Sequence, residues 1–229
     1  MPLAVVVGAS TGIGLVVTKQ LIAAGWDVIG FARSEQAFDD VRYRHVVADV
    51  RAAGYRQHLR DALGDRAPDA CLYVAGIGRA LDLVDPSGES DVFATNLAGA
   101  VATVEVVLPR MVAAHAGHFI GLSSQADRLI DDHAPSYAAS KAGLSSYLEG
   151  LAFACRPHGV AVTNVRFGFV DTAMSAGQGP RPFLMTSERA AEYVMRCLKK
   201  RPIRFTRPRR IAFALWFLTW GRRIRIWLS

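Results

Sequence analysis

Along the chain, short apolar runs alternate with stretches whose apolar positions recur three and four residues apart. Leu3-Ala-Val-Val-Val is a run of the kind expected for a parallel strand buried on both faces. Similar runs fall near 27–32, 45–49, 69–74, 118–123, 160–166 and 203–206. Helical stretches separate them. One follows the glycine-rich segment after the first run and continues to about Ala24, and another follows Pro135, where Leu144, Leu148, Leu151 and Cys155 sit at helical spacing. Strands alternating with helices predict an α/β fold with one doubly wound parallel sheet of about seven strands. The 229 residues, 51% of them hydrophobic, can bury one substantial core. No internal repeat, low-complexity tract or linker divides them. The pattern therefore gives one domain over residues 1–206 and a tail, 207–229, that is not an independent domain.

Two places in this pattern carry chemistry. The first apolar run leads directly into Gly8-Ala-Ser-Thr-Gly12-Ile-Gly14. Glycines there permit a tight turn and close approach of backbone to a pyrophosphate, which then lies at the positive N-terminus of the following helix. The second is Ser124, which ends the run His118-Phe-Ile-Gly-Leu-Ser-Ser, followed by Tyr137 and Lys141. A parallel strand delivers Ser124 to the ligand edge of the sheet, with Ser123 as the competing hydroxyl. Tyr137 and Lys141, four apart on a helix, share a face and can point into one cavity. A tyrosine with an ordinary pKa of about 10 needs a shift of roughly three units, about 4 kcal/mol, to act as a base near neutrality. One ammonium about 4 Å away, at an effective dielectric of 20, supplies roughly that much. Lys141 is therefore expected to lower the Tyr137 pKa and make it a proton donor and acceptor.

These residues resemble the short-chain dehydrogenase/reductase family, over Leu3 to about Thr206. The resemblance implies a Rossmann-like fold and an enzyme that passes hydride between a nicotinamide and a carbonyl or secondary alcohol. It implies catalytic roles for Asn96, Ser124, Tyr137 and Lys141, with Tyr137 as acid and base and Asn96 as the anchor of a proton-relay water. Cofactor contacts are implied for Gly8, Ser10, Thr11, Gly12, Ile13, Gly14, Asp49, Val50, Ala75, Gly76, Tyr137 and Lys141. The segment Arg166-Phe-Gly-Phe-Val-Asp-Thr resembles the family's loop at the nicotinamide amide and adds Gly168, Val170 and Thr172. Two departures stand out. Tyr73-Val74-Ala75-Gly76 replaces the usual pair of asparagines before Ala-Gly, which puts a bracing role on the central strand in doubt. Phe167 replaces a proline and is expected to help wall the nicotinamide pocket, with Phe169 and Met174 giving that pocket an apolar side.

Cofactor choice turns on the end of the second run. Position 32 is alanine, where an acid would favour NAD, and Arg33 and Ser34 follow. An arginine there can meet a 2′-phosphate with a charge-assisted pair, so NADP is expected.

Cys71, Cys155 and Cys197 are odd in number and lack metal-like spacing, so they read as reduced packing residues of a cytoplasmic protein. The six histidines form no ligand cluster; His115, His118 and His158 read as capping or solvated, and no metal is expected. The N-terminus enters the first strand at once, which argues against secretion. The net charge of +7 is unevenly placed. From Tyr193 onward there are eleven lysines and arginines and no acid, against sixteen basic and twenty acidic residues before it. The tail also holds Ile211-Ala-Phe-Ala-Leu-Trp-Phe-Leu-Thr-Trp between arginine pairs, too short a run to span a bilayer. Three placements suit it: packing on its own domain or a neighbouring subunit, peripheral membrane contact through residues 209–228, or a cover over the substrate opening in place of the short lid at Gly177-Gln-Gly-Pro-Arg-Pro. Nucleic acid is not expected, because the basic residues are interrupted by a greasy stretch.

Taken together, the residues predict an NADP-dependent carbonyl reductase or alcohol dehydrogenase acting on a small-molecule substrate, and the resemblance implies a homodimer or homotetramer. Gln125, Asp127, Asp131, Asp132 and His133 are either a solvated loop or polar contacts to that substrate. The alternative is a catalytically silent NADP sensor or docking protein on the same fold, whose mark would be loss of a catalytic residue.

Overall fold

The computed structural model describes residues 1–35, 38–176, 181–210, 219 and 226–227. Seven strands, β1 (Leu3–Val7), β2 (Asp27–Ala32), β3 (Tyr43–Val47), β4 (Ala70–Tyr73), β5 (His118–Ser124), β6 (Ala161–Phe167) and β7 (Arg204–Arg207), form one sheet in the order β3-β2-β1-β4-β5-β6-β7. Every pairing is parallel. The helices are α1 (Gly12–Ala23), α2 (Tyr55–Leu63), α3 (Glu89–Phe93), α4 (Gly99–Ala113), α5 (Pro135–Cys155) and α6 (Ser187–Lys200). The expected strands are all present, with β3 starting two residues earlier than its apolar run.

Buried strands with both faces covered explain the near-continuous apolar runs. In β1 the alternation is visible residue by residue. Leu3, Val5 and Val7 join a core with Leu59, Val107, Leu144 and Leu148 from α2, α4 and α5. Ala4 and Val6 join a second core with Val17, Leu21, Ala190 and Val194 from α1 and α6. Pro109 lies inside α4 without ending it. The continuous helical stretch Pro86–Ala113 is long and apolar enough to cross a membrane, but over half of its most apolar part is buried inside this fold. It is a core helix.

Strand order reverses at β1, which has β2 on one side and β4 on the other. In such sheets the crevice for ligands opens beyond the carboxyl ends of the strands at that reversal. Val7 pairs with both Phe31 and Tyr73, so the residues after β1, β2 and β4 leave the sheet together at that crevice.

Candidate active site

The turn after β1 is built by close approach. The Gly8 and Ala9 amides both donate to the Phe31 carbonyl, at 2.7 and 3.1 Å. Gly8 has φ +94°, and a Cβ there would stand 2.7 Å from the Ala75 nitrogen. Gly12 has φ +52°, with Thr172 Cγ2 where a Cβ would touch it at 3.1 Å, and a Cβ on Gly14 would lie 2.0 Å from the Gly8 carbonyl oxygen. The three glycines therefore bring α1 down onto the turn and set Ala75 and Thr172 against it. Thr11 is the N-cap of α1, but its side chain makes no capping bond. The first amides of α1 are left for another acceptor, which suits the pyrophosphate of a dinucleotide. Ser10 and Ile13 are half-buried beside them and Thr11 is exposed.

Farther along the rim, Arg33 and Ser34 are exposed beyond β2, and the Ser34 carbonyl meets His45 Nε2 at 2.9 Å. Asp49 is held by Arg51, whose Nε and guanidinium nitrogen donate to its carboxylate at 3.1 and 2.8 Å; Arg51 also pairs with Asp91 at 2.8 Å. The Arg51 hydrogen bond is the main cause that holds the Asp49 carboxyl below its usual range, and Arg33 adds a smaller pull of the same sign. Arg51 stands two residues from Asp49 and was not anticipated. Val50 packs against Gly99, where a Cβ would meet it at 2.9 Å.

Around Gly76 the expected catalytic residues converge. A Cβ there would touch Asn96 Oδ1 at 3.2 Å, Lys141 Nζ at 3.4 Å and Met174 Cε at 3.7 Å, and one on Gly78 would touch the Tyr137 ring at 3.5 Å. Ser124 lies near enough to Tyr137 to favour its ionised form, and its hydroxyl donates to the Phe167 carbonyl at 3.4 Å. The Ser124 hydroxyl also accepts from the Ala126 amide at 3.1 Å. Asn96 sits in a single π-helical turn, Ala94–Ala98, between α3 and α4. Its amide accepts from the Ile77 amide at 2.8 Å and donates to the Ile77 carbonyl at 2.9 Å and to Ser140 at 3.0 Å. With the Tyr73 hydroxyl donating to the Thr95 carbonyl at 2.5 Å, this supplies the bracing that the absent asparagines put in doubt.

Electrostatics here correct one expectation. Tyr137 lies above its ordinary pKa, because burial raises it more than the neighbouring Ser124 hydroxyl lowers it. Lys141 Nζ is 5.8 Å from the centre of the Tyr137 ring and donates to the Leu122 carbonyl at 2.9 Å. Burial pushes Lys141 down to about 8. The ammonium is thus tied to a strand end, and the phenol is neutral at physiological pH.

Other expectations are corrected by packing. Phe167 does not wall the nicotinamide pocket: it is buried, with its ring 6.4 Å from that of Tyr193 on α6. Met174, partly exposed beside Gly76 and Gly78, is the apolar side chain found there. His118 is neither a cap nor solvated, but fully buried with Nε2 2.8 Å from the Thr163 hydroxyl. His115 and His158 are exposed. Gln125 is buried and donates to the Pro208 carbonyl at 3.0 Å. Asp127 is buried in an ion pair with Arg166. Asp131 accepts the His133 amide at 2.9 Å and shapes the entry to α5. The Gly168 amide donates to the Arg207 carbonyl, and the Val170 carbonyl accepts from Ser175 and from Thr172.

Most of the tail lies outside the described residues, as do residues 177–180 of the segment expected to form a lid. Thr219 is buried and donates to the Arg128 carbonyl at 3.0 Å. Among the described residues no group of histidine, cysteine and acidic side chains could hold a metal ion, and the three cysteines are buried and unpaired.

A sequence profile for short chain dehydrogenases matches residues 2–181. The chain belongs to that family. It is an oxidoreductase of a family that uses NAD or NADP, and whose members commonly bind small molecules and form oligomers. An uncharacterized oxidoreductase of Myxococcus xanthus is 36% identical over 204 residues, which cover 82% of this chain and 80% of that one. The 3-oxoacyl-(acyl-carrier-protein) reductase of Escherichia coli is 30% identical over 185 residues, covering 76% and 75%. Among solved structures, a short-chain dehydrogenase from Streptomyces avermitilis superposes with a TM-score of 0.82 at 22% identity, over 98% of this chain and 95% of that one.

Proposed function

We propose that this chain is an NADP(H)-dependent carbonyl reductase. The observation that carries the reading is the convergence of Asn96 and Lys141 on the Gly76 backbone and of Tyr137 on Gly78, with Ser124 near enough to act on the Tyr137 phenol. When bound, the nicotinamide supplies hydride to the substrate carbon. Tyr137, held neutral by burial, donates its proton to the substrate oxygen during reduction and takes it back in the reverse reaction. Ser124 hydrogen-bonds the same oxygen. Lys141 holds the nicotinamide ribose. Asn96 fixes the Ile77 main chain, and the π turn around it changes the helical pairing of nearby carbonyls, a setting for the water that returns the proton.

The glycine turn, Ala75, Thr172 and the uncapped start of α1 support the dinucleotide, with Gly168 and Val170 on the loop that meets the nicotinamide. Arg33 and Ser34, exposed at the end of β2 with alanine before them, support the 2′-phosphate of NADP. The carbonyl class is supported by the Escherichia coli relative, whose name gives a 3-oxoacyl substrate. Residues 1–206 carry the site. The Thr219 and Pro208 contacts support a tail that packs on its own domain next to the residues following Ser124, bordering the substrate side. A cytoplasmic homo-oligomer is the proposed setting.

Fluorescence titration with NADPH and NADH, followed by turnover on a carbonyl panel, tests the reading. NADPH binds more tightly, and Tyr137→Phe keeps that affinity while turnover falls by roughly 100-fold or more. Preference for NADH overturns the role of Arg33. NADPH binding without turnover by the unaltered chain transfers the assignment to a silent nucleotide sensor.

A further inference from the structure

Asp127 and Arg166 are 39 positions apart, and each side chain is 5% exposed. Arg166 Nε donates to one Asp127 oxygen at 2.5 Å, and a second guanidinium nitrogen donates to the other. The Ser145 hydroxyl of α5 also donates to Asp127, at 2.6 Å, and lies 2.9 Å from Ser123 of β5. Asp127 belongs to the short helical turn Gln125–Arg128, which begins directly after Ser124 and whose Ala126 amide bonds the Ser124 hydroxyl. Arg166 is on β6, next to the residue whose backbone leads to Gly168, and Ser145 is one helical turn beyond Lys141 on α5. One carboxylate thus ties together the three elements that carry Ser124, Tyr137 with Lys141, and the loop after β6.

Desolvating two charges is expensive, and apolar side chains of similar volume often serve stability as well or better. A buried pair at this junction is better explained by registry than by stability. We propose that Asp127, held by Arg166, is a positioning residue: it locks the turn Gln125–Arg128 so that the Ser124 hydroxyl stays in reach of Tyr137. This rests on the catalytic reading of Ser124 and Tyr137.

The test uses the full-length chain with Asp127→Asn and with the double change Asp127→Leu/Arg166→Leu, which leaves no charge stranded if the single variant fails to fold. Two readouts are taken on each folded variant. In hydrogen exchange, peptides covering residues 122–129 lose protection while those covering β1 and α1 keep it. In turnover of a carbonyl, kcat falls roughly 10- to 100-fold, with KM and NADPH affinity unchanged. Unchanged exchange at 122–129, or unchanged kcat in an active enzyme, overturns the proposal. So does loss of protection spread evenly over the sheet, the mark of a merely structural pair. If the unaltered chain turns over no carbonyl, the catalytic reading fails, and local loss of protection in the variants still supports the lock on the turn.

Discussion

At the scale of single residues, burial outweighs neighbouring charge. The Lys141 ammonium donates to the Leu122 carbonyl, and Tyr137 stays neutral although that ammonium lies near its ring. His118 shows the same effect away from the site. The Thr163 hydroxyl has one hydrogen, which it donates to the Pro202 carbonyl, so His118 Nε2 must be the donor to Thr163; Nδ1 is buried without a hydrogen-bond partner, which disfavours a second proton on the ring. Burial pulls its pKa from 6.5 to about 4. Between these values the unfolded chain takes up a proton that the folded chain refuses. Stability is therefore lost as pH falls from about 6.5 and levels off below about 4, by about 3 kcal/mol in all. Urea unfolding of the protein and of His118→Gln across pH 7 to 4 measures it: the stability difference between them shifts against the unaltered protein as pH falls. A constant difference means that His118 is charged or solvated in the fold.

At the scale of elements, the turn between β1 and α1 is tightly constrained. Gly14 allows α1 to lie on the Gly8 carbonyl, and any side chain there must push helix and strand apart, since a Cβ would sit 2.0 Å from that oxygen. Gly14→Ala is expected to abolish NADPH binding at concentrations that saturate the unaltered chain, and to lower the melting temperature. Ile13→Val, beside it and only half-buried, leaves both nearly unchanged. Fluorescence titration and thermal unfolding read the two effects. Equal affinity in Gly14→Ala shows that α1 does not need that approach to hold the dinucleotide.

At the scale of the molecule, strand order makes the site. Two cores, one on each face of a single sheet, hold seven parallel strands so that the segments after β1, β4, β5 and β6 open at one edge. The C-terminal segment is fastened next to that edge at Pro208 and Thr219. Deleting residues 209–229 is expected to leave NADPH affinity and sedimentation unchanged while raising KM for a carbonyl substrate. Steady-state kinetics and sedimentation of both chains read this. A smaller assembly assigns the tail to subunit contact, and loss of binding to anionic vesicles with unchanged kinetics assigns it to a membrane surface.

The sequence by itself determined what is local. Strands buried on both faces must be apolar throughout, and a tight turn with close backbone approach requires glycine, so β1, the Gly8–Gly14 turn and the alternation of elements were legible in order. The Tyr137 and Lys141 spacing was legible for the same reason, since four residues on a helix fix a shared face. Tertiary structure alone decided which polar groups are buried and with whom. Asp127 and Asp131 look alike in a polar stretch, yet one meets Arg166 from across the sheet and the other caps a turn at the surface. Phe167 points into the core of α6, and Arg51 takes the carboxylate of Asp49 and joins it to Asp91. Desolvation depends on everything packed around a group, and neighbours brought in from 39 positions away leave no mark in the local pattern.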